Sequence, residues 1–222
     1  MQTFKGDQEL KDMLIAETIE HRKADELVQG IYFSGTKEKS RLCAVGCSIF
    51  TLNKKLGKDY DCSDHNVYET ELGIPEQLAY LEDRIFEGLT KDEAVMWPEK
   101  FLSAINVGVD LSMAPSMFLV WLMDDISQFA KGFSDVLKAI STVKSLYERK
   151  IAGELITDKE WQDAAYAADA ADAACAANAA NAAYDAKYAA YAAYDAYDAY
   201  DAKKSQYKKM ADKLIEILQS IK

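Results

Sequence analysis

The stretch Pro75-Glu-Gln-Leu-Ala-Tyr-Leu-Glu-Asp-Arg-Ile-Phe-Glu-Gly-Leu89 opens with a proline where a first helical turn would begin. It then repeats Leu78, Leu81, Ile85 and Leu89 at helical spacing, which gives one apolar face and predicts a helix lying on a core, with Gly88 near its end. On its N-terminal side, Leu42 to Leu56 is a mixed apolar run ending at Gly57, too long and too irregular for a strand, and it reads as a second helix. Further upstream, Gln8 to Gln29 carries Leu10, Leu14, Ile15, Ile19, Leu27 and Val28 and stops at Gly30, a residue suited to a C-terminal cap. Ile31 to Arg41 and Asp59 to Asn66 read as polar loops. On the C-terminal side, Thr90-Lys-Asp-Glu93 has capping-box spacing ahead of a short helix that Pro98 ends or restarts. Pro115 to Phe129 and Phe133 to Ile151 complete the series. No stretch alternates with a period of two, so the expected fold class is all-α with little sheet.

Strong helix breakers vanish late in the chain: the last proline is Pro115 and the last glycine Gly153. This asymmetry predicts a compact helical domain over 1–155 followed by an Ala/Tyr-rich helical tail over 156–222. The tail opens with a second capping box, Thr157-Asp-Lys-Glu160. From Asp163 to Tyr184 every third residue is marked and the rest are alanine, and the triplet resumes out of register as Tyr188, Tyr191, Tyr194, Tyr197 and Tyr200. A repeat of three slips by about 60° per triplet on a 3.6-residue helix, so no single apolar stripe forms. The tail is therefore expected to be one long Ala-rich helix seeking a partner, or a helical hairpin turning at Asn178 to Asn181. A homo-oligomer held through this rod is one expectation. Lys203 to Lys222 regains amphipathicity through Met210, Leu214, Ile217, Leu218 and Ile221.

With 222 residues, 26 Lys and Arg against 37 Asp and Glu, and a formal net charge of -11, the chain lacks the cationic surplus that a nucleic-acid backbone or an anionic membrane requires. The expected partner is a small molecule or another protein. The longest apolar run, Met117 to Met123, is far short of the roughly 20 residues that span a bilayer, and no targeting segment is visible. A cytoplasmic location is expected, with Cys43, Cys47, Cys62 and Cys175 as reduced thiols. There is no P-loop, no dinucleotide glycine fingerprint, no nucleophile elbow and no H-E-x-x-H, and no cofactor is expected.

The densest cluster of chemically capable residues is Cys43-Ala-Val-Gly-Cys47-Ser48 followed by Cys62, Asp64, His65, Tyr68 and Glu69. Cys47, after Gly46 at the start of a helix, with His65 as base, is the pair a cysteine enzyme would use. Zinc would draw on Cys43, Cys47, Cys62 and His65, a C-x3-C-x14-C-x2-H spacing that matches no standard finger. Buried structural thiols are the plainer reading, because cysteine is among the most commonly buried residues. His21 and Asp25, at i and i+4, would share a helix face and bond each other or a polar ligand. Glu82-Asp83 and Asp124-Asp125 read as solvated faces, since helical neighbours point about 100° apart.

Cys43-Ala-Val-Gly-Cys47, Asp64-His65-x2-Tyr68-Glu69, Glu71-Leu-Gly-Ile-Pro75, Leu81-Glu-Asp83, Ile85-Phe-Glu-Gly-Leu89, Trp97-Pro98 and Asp110-Leu-Ser112 resemble a family of uncharacterised phage and bacterial proteins. The resemblance is clearest over residues 40–125, and some relatives carry an Ala-rich tail. The family implies a phage context and no particular activity. This chain has Phe50 where the resemblance implies histidine. The expected function is a non-catalytic binding protein of phage type that sequesters a small metabolite or signalling nucleotide to counter host defence. Its ligand site would draw on His21, Asp25, Tyr32, Cys43, Cys47, His65, Tyr68 and Glu69, with Lys37, Lys39, Arg41 or Arg84 offsetting the acidic charge. The alternatives are a structural or protein-interaction module using the Ala/Tyr helix, and a cysteine enzyme with Cys47 and His65.

Overall fold

A computed structural model describes residues 1–35, 40–168 and 192–222, those at 129 and 192–202 by their backbone. The expectations for the Ala/Tyr array beyond residue 168, for a turn at Asn178 to Asn181, and for Lys37, Lys39 and Cys175 lie outside the described residues.

The protein is all-α. Its helices are α1 (Gln8–Lys23), α2 (Ala44–Leu56), α3 (Asn66–Leu72), α4 (Glu76–Gly88), α5 (Lys91–Ala94), α6 (Trp97–Ala104), α7 (Ala114–Ser127), α8 (Ser134–Ile151), α9 (158–168) and α10 (Ala192–Ser220). The strand content among the described residues is one hairpin, β1 (Phe33–Gly35) antiparallel to β2 (Ser40–Leu42), with Phe33 opposite Leu42. No helix among the described residues is long and apolar enough to cross a membrane. Contacts gather the chain into two compact units, Met1–Pro115 with Asp201–Lys222, and Ser116–Tyr200.

In the first unit α1 packs on α2 and α6, while α4 packs on α2, α3, α5 and α6. Leu14, Ile49, Leu52, Leu72, Leu78, Phe86, Trp97 and Phe101 are fully buried or nearly so and form its core. The segment from Lys203 on, which the sequence groups with the tail, lies in this unit. Leu214 and Leu218 are fully buried, Lys204 Nζ donates to the Leu89 carbonyl at 2.7 Å, and Asn106 Nδ2 donates to the Ile221 carbonyl at 2.8 Å. The Tyr207 ring lies on Gly88 so closely that a Cβ there would overlap it.

Two local expectations are corrected. The first helix ends at Lys23, not near Gln29, because Asp25 turns the chain with φ 55° and Leu27 is drawn into an apolar cluster with Leu42, Cys47 and Phe50. Residues 26–28 then run beside β2, with Leu42 N–H donating to the Glu26 carbonyl and Val28 N–H to that of Leu42. The second correction is the hairpin itself, in a stretch read as loop. Its strands are three residues each, too short to display alternation. Elsewhere α2 ends at Gly57, which adopts the left-handed cap conformation, and α6 restarts the chain with Pro98 in its first turn.

In the second unit Lys144 bridges Asp124 at 2.7 Å and Glu148 at 3.3 Å, and the Tyr147 and Trp161 rings meet at 4.9 Å. The capping box that opens α9 is present: Thr157 N–H and Oγ1 donate to Glu160, and Glu160 N–H donates to Thr157 Oγ1. Thr157→Ala is expected to remove about 1 kcal/mol from this helix start, read as faster amide exchange over 158–161 than in the unchanged chain.

Candidate functional site

Two features of the first unit bring chemically capable side chains together: a cleft beside the hairpin and a buried polar core behind it.

The cleft has a volume of about 1120 Å³ and runs from β1 to the C-terminal end of α2 and the loop after it. Phe33 and Phe50 stack at 5.7 Å with their planes 21° apart, and Tyr32 and Tyr60 add two more rings to the lining. Phe50 is nearly buried, whereas Tyr32 and Phe33 are 43% and 41% exposed. The loop is pinned by a reciprocal pair: Asn53 Nδ2 donates to the Tyr60 carbonyl and Tyr60 N–H to Asn53 Oδ1, both at 2.8 Å. Lys54, Lys58, Asp59 and Asp61 supply the charge. Burial, with the nearby carboxylate of Asp83, holds the Tyr32 phenol above its ordinary range, so it stays a neutral donor at neutral pH.

Behind Tyr32, the His65 ring is buried. It stacks face to face on Tyr80 at 4.0 Å and meets Tyr32 edge-on at 5.8 Å. Its Nδ1–H donates to the Ser63 carbonyl at 3.0 Å, and its Nε2 faces Asp83 at 3.7 Å. Deeper still, Tyr68, Ser48 and Glu82 are sealed from solvent, and the Tyr68 hydroxyl approaches Glu82 without closing a hydrogen bond. Burial drives the Glu82 carboxyl up to about 8, with Tyr68 pulling partly back and Asp83 adding to the rise. Glu82 and Asp83 are therefore not a solvated face. The apolar stripe of α4 suggests one buried side, but α2, α3, α5 and α6 enclose the helix and cover the carboxylates too. Asp125 is also buried, while Asp124 stays exposed on Lys144.

Cys43 and Cys47 are buried in the first unit, and Cys62 is partly so. Cys43 caps α2, its sulfur accepting the Gly46 N–H at 3.3 Å, and burial raises its thiol far above the ordinary range, with Asp83 adding to the rise. Cys47 is fully buried against Thr18 Oγ1 at 3.7 Å, and burial pushes its thiol up to about 12. The hydrogen bond with Thr18 pulls partly back, while the nearby Glu82, Glu26 and Glu17 all oppose a thiolate. Cys62 lines the cleft, and its partial burial raises its thiol to about 11. No group of three metal-capable side chains among the described residues is arranged to hold an ion. On native alkylation, Cys62 is expected to react before Cys43 and Cys47, which should label only on unfolding. Mass-resolved labelling checks this, and rapid modification of Cys47 in the folded chain would contradict the burial.

The remaining expected residues divide clearly. Tyr32 lines the cleft, and His65 meets the Tyr32 ring without lining the cleft itself. His21 bonds Glu26 at 2.5 Å instead of Asp25, because Asp25 lies past the end of α1 and is exposed. Glu69 accepts the Glu76 N–H at 3.1 Å and so caps α4, while Asp64 accepts the Asn66 N–H and caps α3. Arg41 and Arg84 are exposed and do not line the cleft. Sequence reasoning missed Phe33, Lys54, Lys58 and Tyr60. The available signal was the lysine pair flanking the Gly57 cap, which resembles ordinary charge at a helix C-terminus.

Comparison of the chain with protein-family models, curated proteins and solved structures gives no match.

Proposed function

We propose that this chain is a non-catalytic binding protein that holds a small metabolite in the cleft between β1 and the end of α2. The observation that carries the reading is the set of exposed aromatic rings, anchored on the buried Phe50 and held by a pinned loop, in a cavity large enough for a metabolite. The sealed thiol of Cys47 and the acidic groups around it support binding over thiol chemistry. The phage context, and with it the sequestration of a signalling nucleotide to counter host defence, rests on the resemblance of the CAVGC and ELGIP segments.

Calorimetry of the full chain against a panel of nucleotides and aromatic metabolites tests the reading, with recovered ligand checked by mass spectrometry. Binding at micromolar concentration with the ligand recovered unchanged is the expected result. Chemical conversion of the ligand, or silence across the panel, would overturn it. Self-association through the Ala/Tyr segment is part of the same proposal. Gel filtration with light scattering would refute that part if the chain ran as a strict monomer.

A further inference from the structure

We infer that the ligand of this cleft is a planar aromatic compound bearing a phosphate or carboxylate group, its ring stacked on Phe33 and its anion met by Lys54 and Lys58. The inference rests on the binding reading above and adds the ligand's chemical class.

The argument turns on which charges in the lining are already engaged. Asp61 is spent on its own loop, its Oδ1 accepting both the N–H and the Oγ of Ser63 at 2.8 Å. Glu17, the acid nearest Lys54, lies 3.8 Å from it and is held at 2.7 Å by Lys55. Lys58 Nζ lies over the Tyr60 ring, 5.7 Å from its centre, and forms no ion pair among the described residues. Lys54 and Lys58 thus line the cleft with a weak and a purely aromatic partner, beside Asp59 and the hydrogen-bonded Asp61. On a chain with a net charge of -11, a lining with as many lysines as acids is a local relief of the negative field.

The ring preference has a separate basis. Phe33 stacks on Phe50 through one face and is 41% exposed, so its outer side is available to continue the stack with a third planar ring. An aliphatic anion would leave that surface wet.

The test uses matched pairs that differ only in charge: adenosine with adenosine monophosphate, and an indole propanoate with its uncharged amide, each titrated into the full chain. The charged member of at least one pair is expected to bind about tenfold more tightly, an advantage that shrinks with added salt. Which pair shows the gap separates phosphate from carboxylate. Lys54→Met and Lys58→Met keep the apolar stems and should each weaken the anion by about tenfold while leaving the neutral partner unchanged. Phe33→Leu should weaken both members. Both lysines are exposed, and a thermal melt checks that each variant is folded. Should a lysine variant fail to fold, the salt dependence of the matched pairs in the unaltered chain decides the matter. Equal binding of charged and neutral members would overturn the ligand class while the cleft reading stood. Failure of every aromatic compound to shift the amide resonances of Tyr32, Phe33 and Tyr60 would overturn both.

Discussion

Gly46→Ala is expected to destabilise the first unit by roughly 1–3 kcal/mol and to deform the cleft. Alanine is ordinarily the better helix former by up to about 1 kcal/mol, so at an open site in the first turn of α2 the change would help. Here the Cα of Gly46 sits against the backbone carbonyl oxygen of Tyr32, and an added Cβ would lie well inside van der Waals contact. That oxygen belongs to the backbone, and it also accepts the Cys43 N–H at 3.3 Å, so no side-chain rotation relieves the overlap. The clash outweighs the propensity, since overpacking against an immovable neighbour costs roughly 1–3 kcal/mol or more. Relief requires the start of the hairpin to move, and Tyr32 and Phe33 move with it. Urea denaturation would show the loss, and titration with any cleft ligand would show weakened binding. A variant as stable as the starting protein would mean that Tyr32 does not rest on α2.

The second large effect concerns Glu82. Its carboxyl is raised to about 8 in the folded chain and returns to the ordinary range near 4.5 on unfolding. Between those values the folded state holds a proton that the unfolded state has released. Stability is therefore greatest below about pH 4.5 as far as this group is concerned, falls as pH rises, and has lost the contribution above about pH 8. The total is roughly 3–5 kcal/mol. Glu87, raised chiefly by its own burial, adds in the same sense, so the informative comparison is with Glu82→Gln. The amide keeps the shape and carries no charge at any pH. Its denaturation midpoint should match that of the unaltered chain near pH 5 and exceed it clearly at pH 8.5. Parallel curves would show that Glu82 is already ionised in the folded protein.

The helices were legible wherever apolar spacing and punctuation agreed. The end of α2 is the clearest case, where a glycine stop coincides with the left-handed cap, although Leu42, read into that helix, belongs to β2. The end of α1 was not legible, because Leu27 and Val28 continue the helical spacing although tertiary contacts with β2 take them out of the helix. The cleft shows the same limit. Tyr32 was foreseen, but Phe33, Lys54 and Tyr60 converge only after a hairpin too short to announce itself has folded onto α2. Glu82 is the sharpest miss, for a single-helix pattern cannot show that a helix is enclosed on more than one side.

The first unit is discontinuous in sequence, and this sets an order on its synthesis. Residues 1–115 leave the ribosome first, yet Leu214, Leu218 and the Tyr207 ring that covers Gly88 follow only after residues 116–200 have been translated, at about 5–20 residues per second. Until then the nascent chain carries an uncovered face at Gly88 and Leu89, and closing it means joining segments separated by the whole of residues 116–200. A chain cut short before Tyr207 would leave that face open to solvent.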